Sequence, residues 1–242
     1  MNAELYNDFL RAKVKLAEQF GFDVAEEEIN PILKPHQRAI VRWLVRMGRA
    51  ACFAAFGLGK SVIQIEAVRL TLARAGGIGL NTIPLGVRQE FMRDAKMLDV
   101  PVKFIRRIEE VEDGIGIYLT NYESVRDGKL DPRRFTVASL DEASCLRGFG
   151  GTKTFREFMA LFAGDRKTMN ERVLGEAVPY RFVATATPSP NDFIELLAYS
   201  AFLGVMDVGQ AKTRFFRRNS EKADELTIHP HKQKEFWLWV SS

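Results

Sequence analysis

A lysine and a serine end a glycine-rich segment, GLGKS at positions 57–61, whose residue types could hold phosphate groups. The apolar run before it, 50–56, predicts a buried strand, and the segment after it has helical periodicity. Glycines between a strand and a helix let successive backbone N–H groups turn toward one point, where the helix N-terminus adds partial positive charge. Lys60 would reach the β- and γ-phosphates of a nucleotide, and the Ser61 hydroxyl would ligate Mg²⁺. The spacing predicts a phosphate-binding loop, with an ordinary strand–turn–helix as the alternative.

Two carboxylates follow directly on a later apolar run, 135–140, which also predicts a strand. A phosphate-binding loop needs a carboxylate for Mg²⁺, and Asp141 would lie at or beside the ion that Ser61 touches. Glu142 would polarise the water that attacks the γ-phosphate, as a general base. The alternative is an acidic turn that caps the next helix, since Asp141 and Ser144 are both good cap residues. Together with the loop upstream, the pair predicts a site for a nucleoside triphosphate with magnesium.

The segments that must position these residues alternate between short apolar runs and helical patterns. The predicted strands are 50–56, 78–83, 102–105, 115–120, 135–140 and 181–186, and the predicted helices are 4–20, 35–48, 61–75, 85–98, 153–162 and 191–202. Several strands are apolar without alternation, which is typical of strands that are buried on both faces. The pattern therefore predicts an α/β domain, a parallel sheet covered by helices on both faces.

Composition bounds the protein without identifying it. The chain has 242 residues, 46% of them hydrophobic, which is enough for one large domain or two small ones. A net charge of +4 is compatible with a polyanionic partner but does not establish one. Cys52 and Cys145 lie in apolar runs and are predicted to be small core residues, and the histidines have no metal-ligand spacing with them. We find no signal-peptide core and no apolar run of membrane-spanning length, so we expect a soluble cytoplasmic protein with no membrane partner.

From about residue 205 the alternation of strands and helices ends, and basic residues are mixed with aromatic ones. Such a mixture could be a stacking platform for single-stranded nucleic acid. The favoured interpretation is a connector whose aromatic residues pack against something that follows in sequence. We therefore expect this segment to lie outside the sheet.

The segments that carry chemistry resemble motifs of superfamily 2 helicases and translocases. The loop reads AxxGxGKS from Ala54 and is similar to motif I, in which alanine is usual where the general phosphate-loop pattern has glycine. The segment DEAS at 141–144 resembles a DExx-box motif II, and TAT at 185–187 resembles motif III, which couples the ATP site to the nucleic-acid site.

Further segments extend this resemblance in the order that the family has. LKPHQ at 33–37 is similar to the glutamine motif that recognises adenine, and NTIP at 81–84 falls where motif Ia belongs. TNYE at 120–123 resembles a segment of remodeller-type DEAD/DEAH proteins. A segment like ATPSPNDFIEL at 186–196 also occurs in phage and bacterial helicases of that type. The resemblance covers about residues 33–196.

The resemblance implies ATP and Mg²⁺ as cofactors and a role for each matched residue. The implied catalytic residues are Lys60, Asp141 and Glu142, and the implied metal ligands are Ser61 and Asp141. The implied nucleotide-binding residues are Gln37, Ala54, Gly57, Leu58, Gly59, Lys60 and Ser61. Thr185 and Thr187 would couple the two sites, and the residues implied near a nucleic-acid backbone are Thr82, Pro84, Arg88, Asn121 and Tyr122. For the last group the alternatives are a solvated helix residue at Arg88, a helix cap at Asn121 and a packed ring at Tyr122.

The resemblance also implies a domain organisation. A RecA-like P-loop NTPase domain would occupy 31–204, after an N-terminal helical extension at 1–30 and before a connector at 205–242 toward a second RecA-like domain, in cis or in trans. The family's arginine finger belongs to that second domain, and the chain carries no segment like it. We therefore expect the ATP-binding half of a helicase-type motor on nucleic acid, DNA more than RNA, with weak hydrolysis alone. The alternatives are a nucleotide-dependent nucleic-acid-binding module and a small-molecule kinase, which the TAT and TNYE segments disfavour.

Overall fold

The computed structural model describes residues 17–114, 116–143, 146, 153–167, 172–174, 177–189, 192–218 and 226–242. The predicted helix at 4–20 lies mostly outside these residues, and its described end, 17–20, is not helical. Cys145 and Ser144 also lie outside the described residues.

The six predicted strands and the helices predicted from residue 35 onward are present, and the structure adds short helices and strands that the sequence patterns did not indicate, including some after residue 205. The α-helices are α1 (Pro35–Met47), α2 (Lys60–Ala75), α3 (Arg88–Met97), α4 (Tyr122–Arg126), α5 (Lys153–Phe162), α6 (Leu196–Leu203), α7 (Val208–Phe215) and α8 (Gln233–Val240). The strands are β1 (Arg49–Phe53), β2 (Gly79–Ile83), β3 (Val102–Phe104), β4 (Ile117–Asn121), β5 (Val137–Asp141), β6 (Asp165–Lys167), β7 (Arg172–Leu174), β8 (Tyr180–Thr185), β9 (Phe216–Arg218) and β10 (Leu226–Ile228). Short 3₁₀ helices cover Glu26–Glu28, Leu85–Val87, Ile108–Glu110, Pro132–Arg134, Phe193–Glu195 and Pro230–Lys232.

Differences from the predicted bounds concern the ends of elements. The strand predicted at 50–56 ends at Phe53, because the chain leaves the sheet at Ala54 to form the glycine loop. The helix predicted at 85–98 begins as the 3₁₀ turn Leu85–Val87 and becomes α-helical only at Arg88. Helix α1 begins at Pro35, whose fixed φ and missing N–H suit a first helical position.

Six strands form one parallel sheet in the order β1-β8-β5-β2-β4-β3. The two short hairpins, β6-β7 and β9-β10, lie outside it. Parallel strands need crossovers, and the helices between them cover both faces of the sheet. The α/β prediction of a parallel sheet with helices on both faces is therefore confirmed.

The sheet separates two apolar cores, since successive residues of a strand point to opposite faces. Phe182 and Ala184 of β8 belong to one core, together with residues of α1, α2 and α3. Val183 belongs to the other, with residues of α5 and α6. Strands β2, β4 and β5 are buried at every position, which explains why their sequences are apolar runs rather than alternating ones.

The segment after 205 lies outside the main sheet, as expected. Most of its aromatic residues, however, are buried within the chain. Phe215, Phe216, Phe236 and Trp239 are buried in the same core as α5 and α6. The expectation that these four residues pack on a segment beyond 205–242 is therefore not met, and the role of 205–242 as a connector stays a prediction. Among the aromatic residues of α8, only Trp237 is exposed, with 40% of its surface accessible. Its ring packs edge-on against the ring of Phe193, with the two centroids 5.0 Å apart. Within the described part of the chain, the helices are too short or too polar to cross a membrane.

Candidate nucleotide site

The topology brings the candidate residues to one edge of the sheet. Because the strands are parallel, their carboxyl ends lie at the same edge, where ligands of open α/β sheets bind. The glycine loop follows β1, Asp141 ends β5, and Thr185 ends β8, which lies between those two strands. Residues far apart in sequence therefore surround one point.

The loop has the backbone conformation that its glycines predict. Gly57 and Gly59 have φ of +81° and +76°, a region that residues with a Cβ rarely adopt. Lys60 is the first residue of α2. Its Nζ donates to Ala54 O at 3.3 Å and lies 3.8 Å from Glu142 Oε1. The lysine therefore connects the loop with the second carboxylate.

Gln37 packs directly against the loop. Its Nε2 donates to Leu58 O at 3.1 Å, and its Oε1 accepts from Lys34 N at 2.9 Å. A Cβ placed on Gly59 would lie 2.3 Å from Gln37 Nε2, so a side chain at this position would have to displace the amide from the loop. Both ends of the amide are bonded inside the chain, and contact with adenine stays a prediction.

Replacing Gly59 by alanine is expected to destabilise the protein more than the same change at Gly57, by about 1 kcal/mol. Both positions have positive φ, but a Cβ on Gly57 meets no atom within 4 Å, whereas on Gly59 it would displace Gln37 and break its bond to Leu58. Chemical denaturation of both variants measures the difference. Equal losses would show that the close approach of Gln37 does not matter.

A buried hydrogen-bond relay orients Asp141. Ser139 Oγ donates to Gln64 Oε1 at 2.7 Å, and Gln64 Nε2 donates to Asp141 Oδ1 at 2.7 Å. The hydroxyl fixes which end of the amide faces the carboxylate, so one carboxylate oxygen is held and the other is left for a ligand. Tyr122 supports the backbone of the same residue, since its hydroxyl donates to Asp141 O at 2.5 Å.

Sequence reasoning missed Gln64 and Ser139, although both carry a signal. Gln64 lies one helical turn after Lys60, and Ser139 lies two residues before Asp141 and therefore on the same face of β5. A polar residue within an otherwise apolar strand is the feature that could have indicated the relay.

Burial raises the pKa of Asp141 from 3.8 to about 6, the hydrogen bond from Gln64 opposes this, and the nearby charge of Glu142 adds to it. The ionised carboxylate is therefore destabilising in the ligand-free fold, and a cation beside it would relieve that cost.

Replacing Asp141 by asparagine is expected to raise the free energy of unfolding of the ligand-free protein by about 2–3 kcal/mol at pH 7.5, with little change at pH 4. The folded carboxyl keeps its proton to about pH 6, whereas the unfolded one loses it near 3.8, so this contribution to stability is lost as pH rises between those values. Asparagine carries no charge and still accepts from Gln64. Chemical denaturation across this pH range is the measurement.

Asp131 offers a control of opposite sign, because the hydrogen bond from Arg133 holds the pKa of its carboxyl below the usual range. Its asparagine variant should lose stability above pH 4 rather than gain it. An Asp141→Asn variant no more stable than the parent at pH 7.5 would contradict the burial argument.

Glu142 lies at the junction of the loop and β8. Its φ of +48° is unusual for a residue with a side chain, and such backbone strain is concentrated at functional sites. Its Oε2 accepts from Thr185 Oγ1 at 3.1 Å, and the same hydroxyl accepts from Thr187 N at 3.1 Å. The two predicted coupling residues therefore contact each other, and Thr185 also contacts the predicted base.

The residues predicted near nucleic acid differ in their exposure to solvent. Thr82 has no exposed surface because β2 is covered on both faces, so the structure does not bring it to a surface that a polymer could touch. Asn121 is buried at the N-cap position of α4, as the helix-cap alternative predicts, but its side chain bonds the side chains of Glu123 and Ser124 and makes no capping bond to the helix backbone.

The other members of this group lie closer to solvent. Pro84 is half-exposed beyond the end of β2. The guanidinium of Arg88 lies 4.3 Å from the centroid of the Phe104 ring. The Tyr122 ring stacks on Phe158 at 5.7 Å, in agreement with the packed-ring alternative. Contact of these three residues with nucleic acid stays a prediction.

The donor set at this edge fits a nucleotide with Mg²⁺. A hydroxyl at Ser61 and a carboxylate at Asp141 are oxygen ligands of the kind that Mg²⁺ prefers. A Cβ on Gly57 would meet no atom within 4 Å, so this side of the loop is open. Lys60 supplies the positive charge, and Ser61 is buried at the start of α2.

Comparisons with solved structures agree with this topology. The chain is similar to the Sulfolobus solfataricus SWI2/SNF2 ATPase core in complex with dsDNA, with a TM-score of 0.60, 20% identity, and coverage of 80% of this chain and 41% of that one. It is also similar to the Sulfolobus solfataricus SWI2/SNF2 ATPase core domain, with a TM-score of 0.56, 19% identity, and coverage of 82% of this chain and 42% of that one. A third similar structure is the Pyrococcus furiosus Hef helicase domain, with a TM-score of 0.52, 15% identity, and coverage of 76% of this chain and 39% of that one. No family model and no curated protein matches the sequence.

These similarities show the fold. The chain has the RecA-like α/β fold that these ATPase-core and helicase-domain structures share, which is the fold that the motif resemblance implied. It spans about two fifths of the length of each of these structures.

Proposed function

We propose that this chain is the ATP-binding motor domain of a DNA helicase or translocase, which hydrolyses ATP with Mg²⁺. The observation that carries the proposal is the meeting of four residues at one sheet edge: Lys60, Ser61, Asp141 and Glu142. A structural strand–turn–helix would not need a buried, relay-oriented carboxylate beside a lysine and a strained glutamate.

Each residue has a chemical task in this proposal. The loop N–H groups and Lys60 bind and orient the phosphates, and Ser61 and Asp141 hold Mg²⁺, which neutralises charge on the phosphate oxygens when bound. Glu142 accepts the proton of the attacking water. Thr185 holds Glu142 through a hydrogen bond, so a movement at the end of β8 would change the position of the base.

A second RecA-like domain, in cis or in trans, would complete the site. The chain spans 41% of the Sulfolobus solfataricus ATPase core, which leaves room for a domain that supplies an arginine to the γ-phosphate. Turnover by this chain alone should therefore be weak. DNA is favoured over RNA as the polymer because that ATPase core is in complex with dsDNA.

Steady-state ATP hydrolysis by the whole chain, with single-stranded DNA, duplex DNA and RNA added in turn, tests the proposal. A motor domain should hydrolyse slowly alone and faster with DNA. Nucleotide-dependent DNA binding without turnover would favour a binding module. A rate that no polymer changes, together with phosphate transfer to a small molecule, would indicate a kinase and contradict the motor.

A further inference from the structure

A buried carboxylate outside the family motifs contacts the candidate metal ligand. Ser61 Oγ donates to Asp94 Oδ2 at 2.5 Å, and both side chains are buried. Asp94 belongs to α3, whose inward residues Phe91 and Ala95 lie in the apolar core beside α2. An acidic residue on an apolar helix face is unusual, because burying a carboxylate is unfavourable unless it is paired.

The pairing of Asp94 is asymmetric. Its Oδ1 accepts from Arg93 Nε and Nη2, both at 3.3 Å, and the Arg93 side chain is 73% exposed. Its Oδ2 faces the interior and contacts the serine hydroxyl. The exposed arginine partly compensates the charge, and the inner oxygen is directed at Ser61.

The direction of this hydrogen bond determines what Ser61 can do. A hydroxyl has one donor proton and two acceptor lone pairs, and a carboxylate can only accept. With its proton committed to Asp94, Ser61 Oγ keeps both lone pairs for a cation. A negative charge behind a metal ligand also makes the ligand oxygen a better donor to the metal.

We propose that Asp94 is a positioning residue for the Mg²⁺ site, which it orients through Ser61 without touching the ion. The inference rests on the proposed nucleotide function and deepens it. Helix α3 thereby becomes part of the metal site, although its sequence belongs to none of the motifs.

Binding of a fluorescent ADP analogue to the whole chain, in EDTA and across a Mg²⁺ titration, tests the inference without using activity. Asp94→Ala should lower the Mg²⁺ affinity of the nucleotide complex about 10-fold. Nucleotide affinity in EDTA should stay unchanged, which a general disruption of the loop would not allow. Asp94→Asn can still accept from Ser61 but lacks the charge, so we expect a smaller loss; it also replaces the alanine variant if that one fails to fold.

A double-mutant cycle tests whether Asp94 acts on the metal through the Ser61 hydroxyl. Ser61→Ala should lower Mg²⁺ affinity, and adding Asp94→Ala should cause no further loss, because Asp94 acts only through the hydroxyl. Asp99→Asn is the matched control: Asp99 is exposed just beyond α3, with a φ of +55° that asparagine tolerates. It should leave Mg²⁺ affinity unchanged.

Three outcomes would overturn the inference. Parental Mg²⁺ affinity in Asp94→Ala would show that the carboxylate does not act on the metal. A higher Mg²⁺ affinity in that variant would show that Asp94 holds Ser61 away from the ion. A parent that gains no nucleotide affinity from Mg²⁺ would overturn the proposed function, and the inference with it, whereas the first two outcomes leave that function intact.

Discussion

Replacing Lys60 by alanine is expected to lower DNA-stimulated ATP hydrolysis about 100- to 1000-fold, the loss typical of removing one preorganised charge-stabilising donor. The lysine is held at the first position of α2, with its Nζ 3.3 Å from Ala54 O and 3.8 Å from Glu142 Oε1. In the proposed site this charge would stabilise the negative charge that develops on the γ-phosphate. Steady-state kinetics at saturating ATP and DNA measure the loss.

Lys129→Ala is the charge-matched control for this experiment. Lys129 pairs with Asp127 on an exposed turn after α4 and should leave the rate unchanged. Hydrolysis by the Lys60 variant at the parental rate would remove the lysine from the site and contradict the phosphate-binding role of the loop.

Replacing Glu142 by glutamine is expected to reduce turnover by about 100- to 10,000-fold and to leave ATP bound, because the amide cannot accept the proton of the attacking water. Glutamine is nearly isosteric and can still accept from the Thr185 hydroxyl, so the geometry at the end of β8 should persist. Single-turnover hydrolysis and nucleotide titration, made on the same protein, separate chemistry from binding.

Glu109→Gln provides the matched control, since Glu109 is exposed in the 3₁₀ turn Ile108–Glu110 away from the loop. Equal turnover by the parent and the Glu142 variant would remove Glu142 from the role of general base. Loss of ATP binding in that variant would indicate instead that the carboxylate maintains the loop.

The predictable part of the structure is the part that local patterns determine. Buried parallel strands need apolar residues at consecutive positions, so β2, β4 and β5 were visible as short apolar runs. Glycines at positive φ and the lysine at a helix start made the loop recognisable. These local features, with parallel topology, are sufficient to predict that the loop and the carboxylate pair meet at one sheet edge.

The remaining features depend on contacts between elements, which no local pattern encodes. Asp94 looks like a solvated helix residue until α3 packs on α2 and brings it to Ser61. Phe236 and Trp239 are expected to pack on a following segment, whereas in the structure their rings lie against Phe215 of α7, inside the chain. Thr82 was assigned to a surface by its motif, whereas the sheet buries it.

The loop after β1 and the carboxylates after β5 are proposed to form one site for ATP with Mg²⁺. Equilibrium titration of the whole chain with a fluorescent ATP analogue, with and without Mg²⁺, tests it most directly. We expect saturable binding with a dissociation constant between about 1 μM and 1 mM, and tighter binding in the presence of Mg²⁺. Absence of binding at millimolar nucleotide, or binding that Mg²⁺ does not change, would contradict it.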